Sequence, residues 1–110
     1  MCTGRHSVGG VIVLSRFQVG PADTESFVES AQAAVAVLAQ RTGFRTADLA
    51  RNLDEPTLWT ITTRWRDVGS YRRALTGYES KVAVVPLLSR AIDEPSPYED
   101  NTILSTFPDP

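Results

Sequence analysis

Cysteine and histidine are nearly absent: Cys2 is the only thiol in 110 residues and His6 the only imidazole. A single cysteine excludes an internal disulfide and any zinc cluster built on thiolates. A single histidine, in a polar N-terminal stretch, removes the Ser-His-Asp, Cys-His and H-E-x-x-H arrangements. Long apolar runs are missing too. The longest, such as Ala33 to Ala39, falls far short of the roughly 20 residues that cross a bilayer. Val8 to Leu14 follows Arg5 as the core of a signal peptide would, but two glycines interrupt it and no small-x-small cleavage site follows. The expected location is cytoplasmic. Bulk basicity is absent as well. Eleven Lys and Arg against 13 Asp and Glu leave a formal charge of −2, which argues against nucleic acid and anionic membrane as partners.

What is present suits one globular domain. Hydrophobic residues make up 42% and charged residues 22%, a balance that supports a packed core. A chain of this size buries about two-thirds of its unfolded surface. Residues 1–9 are expected to form a flexible N-terminal tail, 10–107 the domain and 108–110 a C-terminal end.

The elements follow from periodicity and punctuation. Gly10 to Val19 is rich in β-branched residues and predicts a strand, stopped by Gly20-Pro21. Asp23 is placed to cap a helix whose stripe is Phe27, Ala31, Ala34, Val35 and Leu38, with Gly43 as its C-terminal signal. Phe44 to Asn52 predicts a second strand, Asp54-Glu55-Pro56 a turn, and Thr57 to Arg66 a third strand. In the third, Trp59, Ile61, Thr63 and Trp65 share one face. Asp67 caps a second helix through Tyr71, Arg72 and Leu75, which Gly77 interrupts. Helix resumes from about Glu79 to Ile92, with Pro86 kinking it or starting a fresh turn. Asp93 to Pro97 predicts a loop and Asn101 to Phe107 a last strand.

This order, βαββαβ, predicts an α+β ferredoxin-like antiparallel sheet with its helices on one face. Two helices cover only that face, and Ile12, Leu14, Leu49 and Leu58 are assigned to the other. That face is too apolar for open water, so a second copy of the chain is expected to cover it as a homodimer.

Fold alone does not set function. The third strand lacks the K/R-G-F/Y-x-F spacing of an RNA-binding sheet. The patch of Arg64, Arg66, Arg72 and Arg73 with Trp65 and Tyr71 is better explained as a solvated arginine face. Acidic pairs at Asp54-Glu55, Asp93-Glu94 and Glu99-Asp100 fit loop charges rather than metal ligands, and no metal site is expected.

The chain resembles the antibiotic biosynthesis monooxygenase family, a dimeric α+β barrel, over about residues 10–107. The resemblance rests on the first strand from Val11 to Val19, on Arg41-Thr42-Gly43-Phe44 after a long helix, and on Trp65-Arg66-Asp67 followed by Tyr71. It implies a pocket between sheet and helices. Some members use that pocket to convert polycyclic phenols to quinones with O2 and no bound cofactor. By the same resemblance Trp65 is the pocket tryptophan, Tyr71 a substrate-contacting tyrosine and Phe44 an aromatic wall. Ser15 stands where several members carry a strand asparagine; it keeps one donor and one acceptor but lacks the amide's geometry. Haem-degrading relatives need a histidine from the second helix, and none occurs between Tyr71 and Ile92; Tyr71 or Tyr78 would be the only substitutes there. No cofactor is expected.

The candidate catalytic residues are therefore Trp65, Tyr71 and Ser15, with Phe27, Phe44, Arg72 and Leu88 contacting a small aromatic substrate. Trp65, Tyr71 and Arg72 would supply hydrogen bonds or positive charge to a phenolate. The competing expectation is a non-catalytic dimer that binds an apolar small molecule or a partner protein, with the tryptophans serving as core. A cavity that gathers the Trp65 nitrogen, the Tyr71 hydroxyl and Ser15 separates the first from the second.

Overall fold

Alternation of apolar and polar residues along three eight-residue segments builds the sheet. In the computed structural model, which describes residues 10–101, these are β1 (Val11–Gln18), β2 (Phe44–Arg51) and β3 (Leu58–Trp65). A short β4 (Pro97–Glu99) completes a four-stranded sheet in the order β2-β3-β1-β4, and every pairing is antiparallel. The helical elements are α1 (Thr24–Leu38), α2 (Val68–Ala74), a π-helical turn (Ser80–Val84) and α3 (Val85–Leu88). This is the expected ferredoxin-like α+β topology.

On β1 the buried residues are Val11, Val13, Ser15 and Phe17, which stand opposite Trp65, Thr63, Ile61 and Trp59 of β3. The helices cover this face. Along α1, Phe27, Ala31, Ala34 and Leu38 are buried as their spacing predicts, and the small alanines let the helix lie close to the sheet. Phe27 is 0% exposed and sits 5.1 Å from the Phe17 ring and 5.5 Å from the Trp59 ring, centroid to centroid. Burying such a ring contributes about 1.5–3 kcal/mol.

Several expectations are corrected. Asp23 occupies a 3-10 turn (Pro21–Asp23) and makes no side-chain cap to α1. The Gly20-Pro21 sequence tightens the chain there, and the Thr24 hydroxyl bonds back to the Gly20 carbonyl at 3.4 Å. Asp67, by contrast, caps α2 by accepting from the Ser70 N–H at 2.7 Å. Gly43 lies beyond the end of α1, with φ +89°, and a Cβ there would overlap the Ser70 side chain. Glycine is needed both for the left-handed turn and for the seating of α2.

Leu49 lies on the helix face, not on the open one. An irregularity between Phe44 and Thr46 inserts one extra residue, so that Leu49 stands opposite Ile61. A one-residue bulge moves every following side chain to the other face. Phe44 and Leu49, five apart, share a face only because of it. Ile12, Leu14 and Leu58 do lie on the open face, together with Thr60 and Thr62, and each is half-buried.

Helix does not continue to Ile92. Pro86 lacks the amide that would close an α-turn onto Val82. The preceding residues widen instead into the π-turn, whose Ser80 carbonyl accepts from the Val85 N–H. After Leu88 two tight turns follow, and the Ile92 N–H bonds the Arg16 carbonyl of β1 at 2.8 Å. The last described strand also differs from the expectation. It falls at Pro97–Glu99, inside and just after the supposed loop, with Pro97 opposite Val13. Proline is tolerated there because it opens an edge strand. The predicted strand at 101–107 lies almost wholly outside the described residues.

Candidate functional site

Ser15 is the only hydroxyl on the buried face of β1, between Val13 and Phe17, and is 5% exposed. Asp67 starts α2 at the end of β3, and one turn later the helix delivers Tyr71, 8% exposed, toward the same region. Leu75 follows at the i+4 position, on the same side of the helix. These three residues, with Val85 and Leu88 from α3, line a cavity of about 460 Å³. Small-molecule sites typically enclose about 300–1,000 Å³.

The remaining wall is Leu14 of β1 and the segment 89–96 beside it, which contributes Ala91, Ile92, Asp93, Glu94 and Ser96 among others. Two backbone bonds hold it: Ile92 N–H to the Arg16 carbonyl and Leu14 N–H to the Ser96 carbonyl, each 2.8 Å. A bidentate ion pair adds to them. Arg16 donates from Nε to Glu94 Oε2 at 2.7 Å and from Nη2 to Oε1 at 2.8 Å. These hydrogen bonds hold the Glu94 carboxyl below its ordinary range; burial opposes them less strongly, and the guanidinium charge adds a still smaller lowering. Neither the Ser15 nor the Tyr71 hydroxyl hydrogen-bonds to another group among the described residues.

Of the sequence-predicted site residues, the fold brings Ser15, Tyr71 and Leu88 onto this cavity and leaves the others away from it. Trp65 is 1% exposed, and its indole N–H donates to the Thr63 Oγ1 at 2.9 Å. Its ring packs behind Tyr71, 6.2 Å between centroids, and meets Phe44 edge-on at 5.4 Å. Trp65 therefore supports the position of Tyr71 and presents no free donor. Phe44 belongs to that aromatic stack, and Phe27 is spent in the core with Phe17 and Trp59. Arg72 is exposed and lines a separate hollow with Val68 and Tyr98.

Leu75 and Val85 were not singled out from sequence, although Leu75 could have been found from its helical spacing to Tyr71. Asp93 and Glu94 were read only as loop charges; Glu94 is more than that, because it pairs with Arg16. Only the opposite signs of Arg16 and Glu94, 78 positions apart, hinted at their pairing. Among the described residues no group of three or more His, Cys, Asp or Glu side chains forms a metal site. No described helix is long and apolar enough to cross a membrane.

An antiparallel sheet with helices on one face and a hydroxyl-bearing, largely apolar cavity beside β1 defines an α+β domain with a candidate small-molecule site. Comparison with known proteins narrows the class. The family model for antibiotic biosynthesis monooxygenase matches residues 10–84, and the chain belongs to that family. Three solved structures illustrate the shared fold. A mutant form of SnoaB, a cofactor-independent oxygenase from Streptomyces nogalater, is 24% identical with a TM-score of 0.75, over 88% of this chain and 98% of that one. A conserved protein from Methanosarcina mazei Go1 is 21% identical with a TM-score of 0.74, over 89% and 99%. Rv0793 from Mycobacterium tuberculosis is 15% identical with a TM-score of 0.70, over 87% and 99%. No relative among curated proteins matches the sequence.

Proposed function

We propose that this chain is a monooxygenase that oxidises a small aromatic or polycyclic phenol with O2, without a bound cofactor, in the cavity beside β1. The observation that carries the reading is the pairing of two hydroxyls, Ser15 and Tyr71, with apolar walls from Leu75, Val85 and Leu88 in a cavity of about 460 Å³. Membership of the monooxygenase family and the fold shared with a cofactor-independent oxygenase support it.

The chemistry asks little of the protein. A phenol or anthrone gives a proton to solvent, and the electron-rich anion reduces O2 to a carbon-bound peroxide anion that takes a proton back. Loss of water from the peroxide leaves the quinone carbonyl. One oxygen atom enters the product and the other leaves as water, with the ring carbon oxidised as O2 is reduced. Ser15 and Tyr71 donate hydrogen bonds to the substrate oxygen and stabilise its anion. The apolar walls keep water from the reacting carbon. Trp65, pinned by Thr63, holds the Tyr71 ring in place.

In the same reading two copies pair through the open sheet face, covering Ile12, Leu14 and Leu58. A second reading, a non-catalytic binding domain, is favoured by one observation: the Trp65 N–H is already committed to Thr63. Oxygen uptake with a panel of anthrones, naphthols and hydroquinones in metal-free buffer decides between them. The proposal expects uptake that survives chelation and falls about 10- to 100-fold in Tyr71→Phe, below the roughly 10²–10³ seen for a fully developed oxyanion donor. Absence of uptake with every substrate, from folded protein, favours the binding domain.

A further inference from the structure

We infer that the cavity selects uncharged or cationic aromatic ligands over carboxylate-bearing ones, and that Asp93 is the residue that discriminates. The inference rests on the reading of this cavity as the substrate site and adds the charge class of the substrate.

The titratable side chains lining the cavity are Tyr71, Asp93 and Glu94, and no arginine or lysine lines it among the described residues. Each candidate cation nearby is engaged or directed elsewhere. Arg16, the nearest by contact, spends Nε and Nη2 on Glu94. Arg72 borders the hollow at Val68 and Tyr98, and Arg90 the one at Ser30 and Ala33. The Arg16–Glu94 pair is neutral as a unit. Asp93, the neighbouring residue, is exposed at the cavity and has no ion-pair partner among the described residues. Among the described residues the lining therefore carries one uncompensated negative charge.

A ligand carboxylate inside would meet that charge with no cation to offset it, and would give up its hydration to hydroxyls and methyl groups. A neutral phenol meets no such penalty on binding, its later anion being held by the Ser15 and Tyr71 hydroxyls, and an ammonium group gains. At roughly 6 Å and an effective dielectric constant of about 60, Coulomb's law gives about a five-fold change in affinity per unit of ligand charge. The effect shrinks as salt shortens the Debye length from about 10 Å at 0.1 M.

The test is titration calorimetry with three hydroxynaphthalenes that carry a carboxylate, a carboxamide or an aminomethyl group at the same ring position. Wild type and Asp93→Asn are compared at neutral pH and low salt. Expected for wild type is carboxylate binding about five-fold weaker than carboxamide, with aminomethyl tighter than both. In Asp93→Asn the three affinities should converge. Equal affinities in wild type, or a preference for the carboxylate, would overturn the inference while leaving the cavity as a ligand site. A preference that persists unchanged in Asp93→Asn would overturn the role of Asp93. If none of the three binds folded wild type, the site reading falls and this inference with it.

Discussion

Phe27 and Tyr71 offer a paired test of how this fold divides its aromatic residues between packing and chemistry. Phe27 is fully buried between Phe17 and Trp59 and does not line the cavity. Replacing it with leucine removes two aromatic contacts worth about 0.5–1.5 kcal/mol each. The residual void, about 25 Å³, adds roughly 0.6 kcal/mol at about 24 cal/mol per Å³. The expected loss is about 1.5–3.5 kcal/mol. For a domain of this size, about 4 °C per kcal/mol converts that to a fall in Tm of roughly 6–14 °C. At temperatures where Phe27→Leu remains folded, its kcat/KM should match wild type. Tyr71→Phe should do the reverse, holding stability within about 0.5 kcal/mol while losing turnover. Thermal denaturation by circular dichroism and oxygen uptake below the transition give both numbers. A Phe27→Leu enzyme with unchanged Tm and altered KM would place that ring against the substrate and refute the assignment.

Further outcomes follow from other contacts. Thr63→Val keeps the shape of β3 but leaves the Trp65 indole N–H without its acceptor in a buried site, and urea unfolding should register a loss of about 1–3 kcal/mol. The Asp67 carboxyl is lowered to about 2, chiefly by the Ser70 backbone N–H, then by the Ser70 side chain and Arg66. Because its folded value lies below the unfolded one, its stabilisation is complete above about pH 4 and disappears as pH falls through about 2. The urea midpoints of wild type and Asp67→Ala should therefore differ at pH 6 and merge near pH 2. Ile12→Glu puts a charge on the open sheet face, opposite Arg64 and Tyr98. Size-exclusion chromatography should show wild type at twice the monomer mass and the variant as a monomer; a wild-type monomer would remove the dimer from the proposal.

Sheet topology was legible because its signals are local and repeated. The alternation of Trp59, Ile61, Thr63 and Trp65, the stripe on α1 and the Asp67 cap each predict the structure found. What escaped depended on single-residue events or on partners distant in sequence. The bulge after Phe44 costs one residue and leaves no compositional mark, yet it carries Leu49 to the opposite face. Pro97 read as loop because proline disfavours strands, but an edge strand can begin with it. The site was half legible for a related reason. Ser15 and Tyr71 came from strand and helix patterns joined to the family resemblance. The wall at 89–96 has no periodicity, and it is held by bonds to β1 from nearly the other end of the chain. Trp65 was assigned as a donor because nothing in the sequence reveals that Thr63, two residues earlier and on the same face, accepts its N–H.

The π-turn at Ser80–Val84 gives this cavity an unusual relation to chain length. A π-turn is an α-helix carrying one residue too many, and it lies immediately before Val85 and Leu88, which form the helical wall of the cavity. Each residue of helix turns the following side chains by about 100°. The π-turn absorbs its surplus residue as a bulge, so deleting one residue within it would leave Val85 and Leu88 facing the cavity, whereas a deletion from a regular helical turn would rotate both away. Point substitutions would resize this wall one side chain at a time. A single-codon deletion in the turn would leave the wall standing, so the surplus residue marks a place where chain length can change without exchanging the side chains of the cavity.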